Sequence, residues 1–114
     1  MGTVTGEIAI SAGGTTDFNS IGFVPSCVIL LAVDAVAGNK NWSIGFDNVV
    51  GKFAIASAYN AAGNYKENTE SIVIWRDDSN YQIGYISTWL SNGFRLYISQ
   101  LGAVSSTLLY LCLP

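Results

Sequence analysis

Histidine is absent from this chain of 114 residues, and charge is scarce. Five Lys and Arg stand against eight Asp and Glu, 11% of all residues, for a net charge of −3. Each shortage excludes something. General acid–base chemistry near neutral pH most often uses His, so a serine or cysteine triad of the usual form lacks its base. Two Cys without His cannot make a zinc site of the common kinds. Scattered bases in a mildly acidic chain provide no stripe to neutralise phosphates, which argues against nucleic acid. Gly13-Gly14 lacks the Lys and the helix of a phosphate-cradling loop. The longest apolar run, Cys27 to Val33, is too short to span a bilayer as a helix, and the residues after Met1 have neither the basic start nor the apolar stretch of a secretory leader. The expectation is a protein that is not an enzyme, with no cofactor or metal and no nucleic-acid or membrane partner.

What is abundant is apolar surface: half of all residues, in short runs separated by Gly, Asn and Ser. A single domain of this length can bury roughly two-thirds of its unfolded surface, so it needs neither disulfide nor metal to fold. Cys27 and Cys112 each sit inside apolar runs, where a free thiol behaves as a small hydrophobe. A typical chain is about a quarter charged. The shortfall here suggests that other subunits cover part of the surface, so a homo-oligomer is expected.

No helical period is convincing. Strand signals run over Thr3–Ser11, Thr16–Phe23, Ser26–Asp34, Trp42–Phe46, Lys52–Tyr59, Ser71–Trp75, Tyr81–Thr88, Phe94–Ser99 and Thr107–Leu113. Their regular spacing predicts an all-β fold, a single antiparallel β-sandwich of jelly-roll type with about eight to nine short strands. The domain spans 1–114, with residues 1–6 expected as an extended N-terminal arm against a neighbour. The polar stretch Asn60 to Glu70 reads as an exposed loop, and Asp77-Asp78-Ser79-Asn80 as a hairpin turn.

Parity assigns the faces. In Phe94–Ser99, Phe94, Leu96 and Ile98 point one way; Arg95, Tyr97 and Ser99 point the other. Ser26–Asp34 and Leu108–Leu113 are apolar on both parities, which requires cover on both faces. The candidate interface residues are therefore Val28, Leu30 and Tyr110 on the two-faced strands, with Arg95 and Tyr97 on the half-wet one. Three Trp and six Tyr also raise carbohydrate binding, since aromatic faces stack on sugar rings. Tyr65, Trp75 and Trp89 are the candidate glycan contacts under that alternative, which would make the chain a carbohydrate-binding module or a fibre-tip domain.

Four segments carry a family resemblance: Ile21-Gly22-Phe23-Val24-Pro25-Ser26-Cys27-Val28-Ile29, Trp42-Ser43-Ile44-Gly45-Phe46-Asp47, Asn92-Gly93-Phe94-Arg95-Leu96 and Leu109-Tyr110-Leu111-Cys112-Leu113. Together they resemble small β-sandwich modules of tailed-bacteriophage virion proteins, from about Glu7 to Leu113. Cys112 stands where a small residue such as Ala would be usual there. The motifs are structural. Gly22 and Gly93 suit turns or bulges, Pro25 the start of a strand, and Phe23, Phe46 and Phe94 the core. The resemblance implies a free-standing virion structural protein, a small capsid decoration or a minor capsid or tail-surface protein, located in the virion and acting through contacts with itself or with other virion proteins.

Overall fold

Alternation of buried and exposed side chains sorts the chain into strands. The computed structural model describes residues 2–36, 41–58 and 63–114. Among these there is no helix, and the strands are β1 (Val4–Ile10), β2 (Gly14–Phe18), β3 (Cys27–Asp34), β4 (Trp42–Asn48), β5 (Lys52–Ala58), β6 (Gly63–Glu67), β7 (Ile72–Asp77), β8 (Asn80–Leu90), β9 (Gly93–Leu101) and β10 (Ser106–Leu113). They form two antiparallel sheets, one of six strands in the order β1-β10-β3-β4-β5-β6 and one of four in the order β2-β9-β8-β7. The protein is thus an all-β antiparallel sandwich. β10 lies between β1 and β3, and β2 beside β9, as in a jelly roll. That wiring is not established for the rest, because β3 to β6 and β7 to β9 are meanders within one sheet.

The core lies between the sheets. Val28, Leu30 and Ala32 of β3 and Leu108 and Cys112 of β10 meet Ile72 and Ile74 of β7, Ile86 of β8 and Phe94, Leu96 and Ile98 of β9. Burying side chains of this size is worth roughly 1.5–3 kcal/mol each, so this cluster is the main stabilising element. Phe23 and Phe94 are in the core as expected, and Gly22 takes the left-handed conformation at φ +91°. A smaller cluster sits on the other side of β7, where Val73 packs with Ala54 and Ala56 of β5, beside Trp75 and Ile83. This is why Ile72, Val73 and Ile74 are buried on both parities.

Buried polar groups tie the sheets together. β4 turns Ser43 and Asp47 inward: the Val73 amide donates to Ser43 Oγ at 3.1 Å, and the Ile86 amide to Asp47 Oδ2 at 2.8 Å. One amide on the free edge of β7, that of Val73, thereby finds a partner. Gln82 Nε2 donates to the Ile10 and Val104 carbonyls at 3.1 and 2.9 Å, and its Oε1 accepts from Ser106 Oγ at 2.6 Å. The hairpin at Asp77 to Asn80 is as expected: Asp77 Oδ1 accepts from the Ser79 amide at 2.8 Å and from Asn80 Nδ2 at 3.0 Å.

Two expectations are corrected. Residues 4–6 are not a detached arm, because Val4, Thr5 and Gly6 pair with Cys112, Leu111 and Tyr110 in the molecule's own sheet. Gly63–Glu67 is not loop but an edge strand paired with β5. Residues 59–62, which include Tyr59 and the start of the expected loop, lie outside the described residues.

Candidate functional site on the six-stranded sheet

The feature that stands out is the face of the six-stranded sheet turned away from the core. Strand register sets it out in rows. One row runs Glu7, Leu109, Leu31, Ile44, Ile55, Lys66, from β1 at one edge to β6 at the other. All six side chains are exposed. Beside it lies Thr5, Leu111, Ile29, Phe46, Phe53; on its other side lies Ala9, Thr107, Val33, Trp42, Ser57. The face is apolar across its middle and carries an acid at one end of the central row and a base at the other.

Its size separates it from ordinary surface. Leu31, Val33, Trp42, Ile44, Phe46, Phe53, Ile55 and Leu109 are each between 39% and 53% exposed. Together they offer on the order of 700 Å² of apolar surface, above the roughly 300–600 Å² of the largest patch on a typical monomer. The face is also dished. A depression of about 860 Å³ is bounded by Ile29, Ile44, Phe46, Phe53 and Lys66, with Cys27 at its side. The Phe46 and Phe53 rings lie 5.2 Å apart and tilted by 38°. A second depression of about 450 Å³ lies between Glu7, Leu31 and Leu109. Burial, and then the charge of Asp47, pushes the Cys27 thiol up, which keeps it in the neutral form. Among the described residues the face thus offers packing surface, a neutral thiol and two charges.

The residues singled out from sequence fall elsewhere. Val28 and Leu30 are fully buried in the molecule's own core, so they cannot form an interface. The outward parity of β3 is Ile29, Leu31 and Val33. Tyr110 also points inward, its ring edge-on to Phe18 at 5.1 Å and to Phe94 at 5.9 Å. Its ring passes over β1 at Gly6, where a Cβ would collide with it. Arg95 is half-buried and Tyr97 exposed, but on the four-stranded sheet. There Arg95 pairs with Asp17 through Nε at 2.6 Å and Nη2 at 3.0 Å, and Tyr97 lies 5.5 Å from Tyr85. Phe46, expected in the core, is on the outer face at 40% exposure.

The glycan candidates do not converge. Trp75 stacks flat on Tyr81 at 4.3 Å at the start of β8. Trp89, at the other end of β8, packs against the core. Eight residues of strand separate the two ends, about 27 Å. Tyr65 is on β6, and its side chain lies outside the described residues.

Sequence reasoning missed Leu31, Ile44, Phe46, Phe53 and Ile55. The signal was present in β4, where Trp42, Ile44 and Phe46 share one parity and Ser43, Gly45 and Asp47 the other. No protein-family model matches this sequence, and no similar curated protein is found for it.

Proposed function

We propose that this chain is a non-enzymatic structural subunit that works by burying the outer face of its six-stranded sheet against other protein. The observation that carries this reading is the band of large apolar side chains across four adjacent strands, β10, β3, β4 and β5, each well exposed in the single chain. Water contact over that area costs free energy at roughly 25 cal/mol per Å², which burial in an assembly would recover. The setting we propose is the virion of a tailed phage, as a small capsid decoration or other capsid or tail-surface protein. Support for that setting comes from the motif set of β3, β4, β9 and β10.

The test is to look for the chain in purified particles by mass spectrometry and to replace Ile44 with Asp. This side chain is outward and central, so Ile44→Asp should keep the native circular dichroism spectrum while the chain disappears from the particle. A chain absent from particles overturns the virion setting. Incorporation of Ile44→Asp at the wild-type level overturns the role of the face.

A further inference from the structure

We infer that the occupant of the outer face is a second copy of this chain, packed face to face about a two-fold axis that lies in the interface and runs parallel to the strands. The inference rests on the reading that this face is a protein-contact surface, and it names the partner and the geometry. The central row carries it: Glu7, Leu109, Leu31, Ile44, Ile55, Lys66. A two-fold along the strands keeps each residue at its height and reverses the order of the row. Leu31 then faces the partner's Ile44, Leu109 faces the partner's Ile55, and each Glu7 meets the partner's Lys66. The flanking rows obey the same operator. Ile29 faces the partner's Phe46, and Val33 the partner's Trp42.

Charge selects this arrangement over its alternatives. A two-fold perpendicular to the strands would lay β1 on β1 and β6 on β6, setting Glu7 against Glu7 and Lys66 against Lys66. Like charges at close range count against that mode. Among the described residues neither Glu7 nor Lys66 belongs to an ion pair, so both are available to the partner. Pairing strand edges instead would leave the apolar face in water. Area agrees as well: on the order of 700 Å² of apolar surface per copy, with the polar rim added, meets the roughly 800 Å² per partner of a standard stable interface. Faces of twisted sheets pack at about −30°, an angle the long Glu and Lys side chains can span at the rim.

The test uses the unmodified chain of 114 residues. Static light scattering at tens of micromolar should give a dimer. Carbodiimide condenses a carboxylate and an amine in contact into an amide and takes up the water lost. Peptide mapping should then join the peptide containing Glu7 to that containing Lys66. Within one chain the two lie five strand spacings apart, about 24 Å, so such a link can only be between copies. Glu7→Lys and Lys66→Glu should each weaken dimerisation by about tenfold, since each sets two like-charged pairs face to face, and the double reversal should restore it to within about threefold. A dimer with the Glu7–Lys66 link bears the two-fold out. A dimer that Ile44→Asp splits but that gives no such link overturns the two-fold while the contact-surface reading stands. A monomer overturns the second copy as occupant; the contact-surface reading falls with it only if Ile44→Asp also leaves particle incorporation unchanged.

Discussion

Arg76 on β7 grips Asp34 at the end of β3 with two nitrogens, Nε at 2.7 Å and Nη2 at 2.8 Å, and so fastens one sheet to the other. The Arg76 Nη1 also donates to the Ala103 carbonyl at 3.0 Å. Burial pushes the Asp34 carboxyl up. Hydrogen bonds from Arg76, the Val36 amide and Asn41, with the Arg76 charge, outweigh it and bring the carboxyl from 3.8 down to about 2. A depressed carboxyl contributes stability that is complete above its unfolded value and lost as pH falls. The fold should therefore lose on the order of 2 kcal/mol between about pH 4 and pH 2 from this group. Arg76→Ala leaves a buried carboxylate without its cation and should cost about 3 kcal/mol at pH 7 in urea unfolding. The gap between variant and wild type should narrow at pH 3. A gap that stays constant across that range would mean that Arg76 acts by packing alone.

How far the sequence reveals this molecule is clearest in β4. Alternation in Trp42-Ser43-Ile44-Gly45-Phe46-Asp47 marks a strand, and the strand is there. The sense of the alternation is inverted, because hydrophobic-inside reasoning would put Phe46 in the core. The inward parity goes instead to groups with specific tasks: Ser43 and Asp47 accept β7 and β8 amides, and Gly45 admits the backbone at Ser71. Those partners lie far along the chain, at Ser71, Val73 and Ile86, and no local pattern announces them. For β3 the two apolar parities are plain, but their equivalence hides which one is inside. β6 is a polar segment of low strand propensity that pairs because β5 presents an open edge, a tertiary effect. Val28, Leu30 and Tyr110 leave the interface set for one reason of parity, since each takes the inward side of its strand, while Arg95 and Tyr97 keep the outward parity expected of them.

Asp47 has the opposite sign to Asp34. Burial raises its carboxyl above the usual value, against the Ile86 amide, the Lys52 charge and the Ser71 hydroxyl, which lower it. The folded state then holds this proton more tightly than the unfolded state. Its contribution is full below about pH 3.8 and is lost as pH rises from there through the raised value. Asp47→Asn keeps an oxygen for the Ile86 amide without the buried charge, and it should be at least as stable as wild type at pH 7. Asp47→Ala strands that amide and should lose about 1–3 kcal/mol. Urea unfolding of both at pH 7 decides it, and an Asn variant as unstable as the Ala variant would show that the charge itself is needed.

At Gly45 the backbone of β4 lies close against the backbone at Ser71, just before β7. A Cβ there would run into the Ser71 carbonyl and press on the Phe53 carbonyl, both backbone atoms that cannot swing aside. Gly45→Ala should therefore force β4 and β7 apart and cost about 2 kcal/mol or more. Gly51 is the control, since a Cβ there would meet only the Phe53 ring at 3.3 Å, and a ring can turn. Gly51→Ala should stay within about 0.5 kcal/mol of wild type. Equal losses in thermal unfolding would refute the close-approach account.

The two thiols report on opposite sides of the six-stranded sheet. Cys112 is fully buried between the sheets, and burial pushes it up to about 11. Cys27 is half-buried beside the outer depression, and both cysteines are free. In denaturant a disulfide-exchange reagent should titrate both. In the native protein Cys27 should react about tenfold or more faster than Cys112, which requires opening of the core. Raising pH from 7 to 9 should speed Cys27, because its raised value leaves little thiolate at neutrality. Self-association adds a dependence on concentration. If copies pair through the outer face, Cys27 is covered in the pair and its labelling rate should fall as the protein is concentrated, while the Cys112 rate stays tied to unfolding. A Cys27 rate that is flat from dilute to concentrated protein would place it outside any contact and move the interface toward the β1 side of the face, away from the Phe46–Phe53 depression.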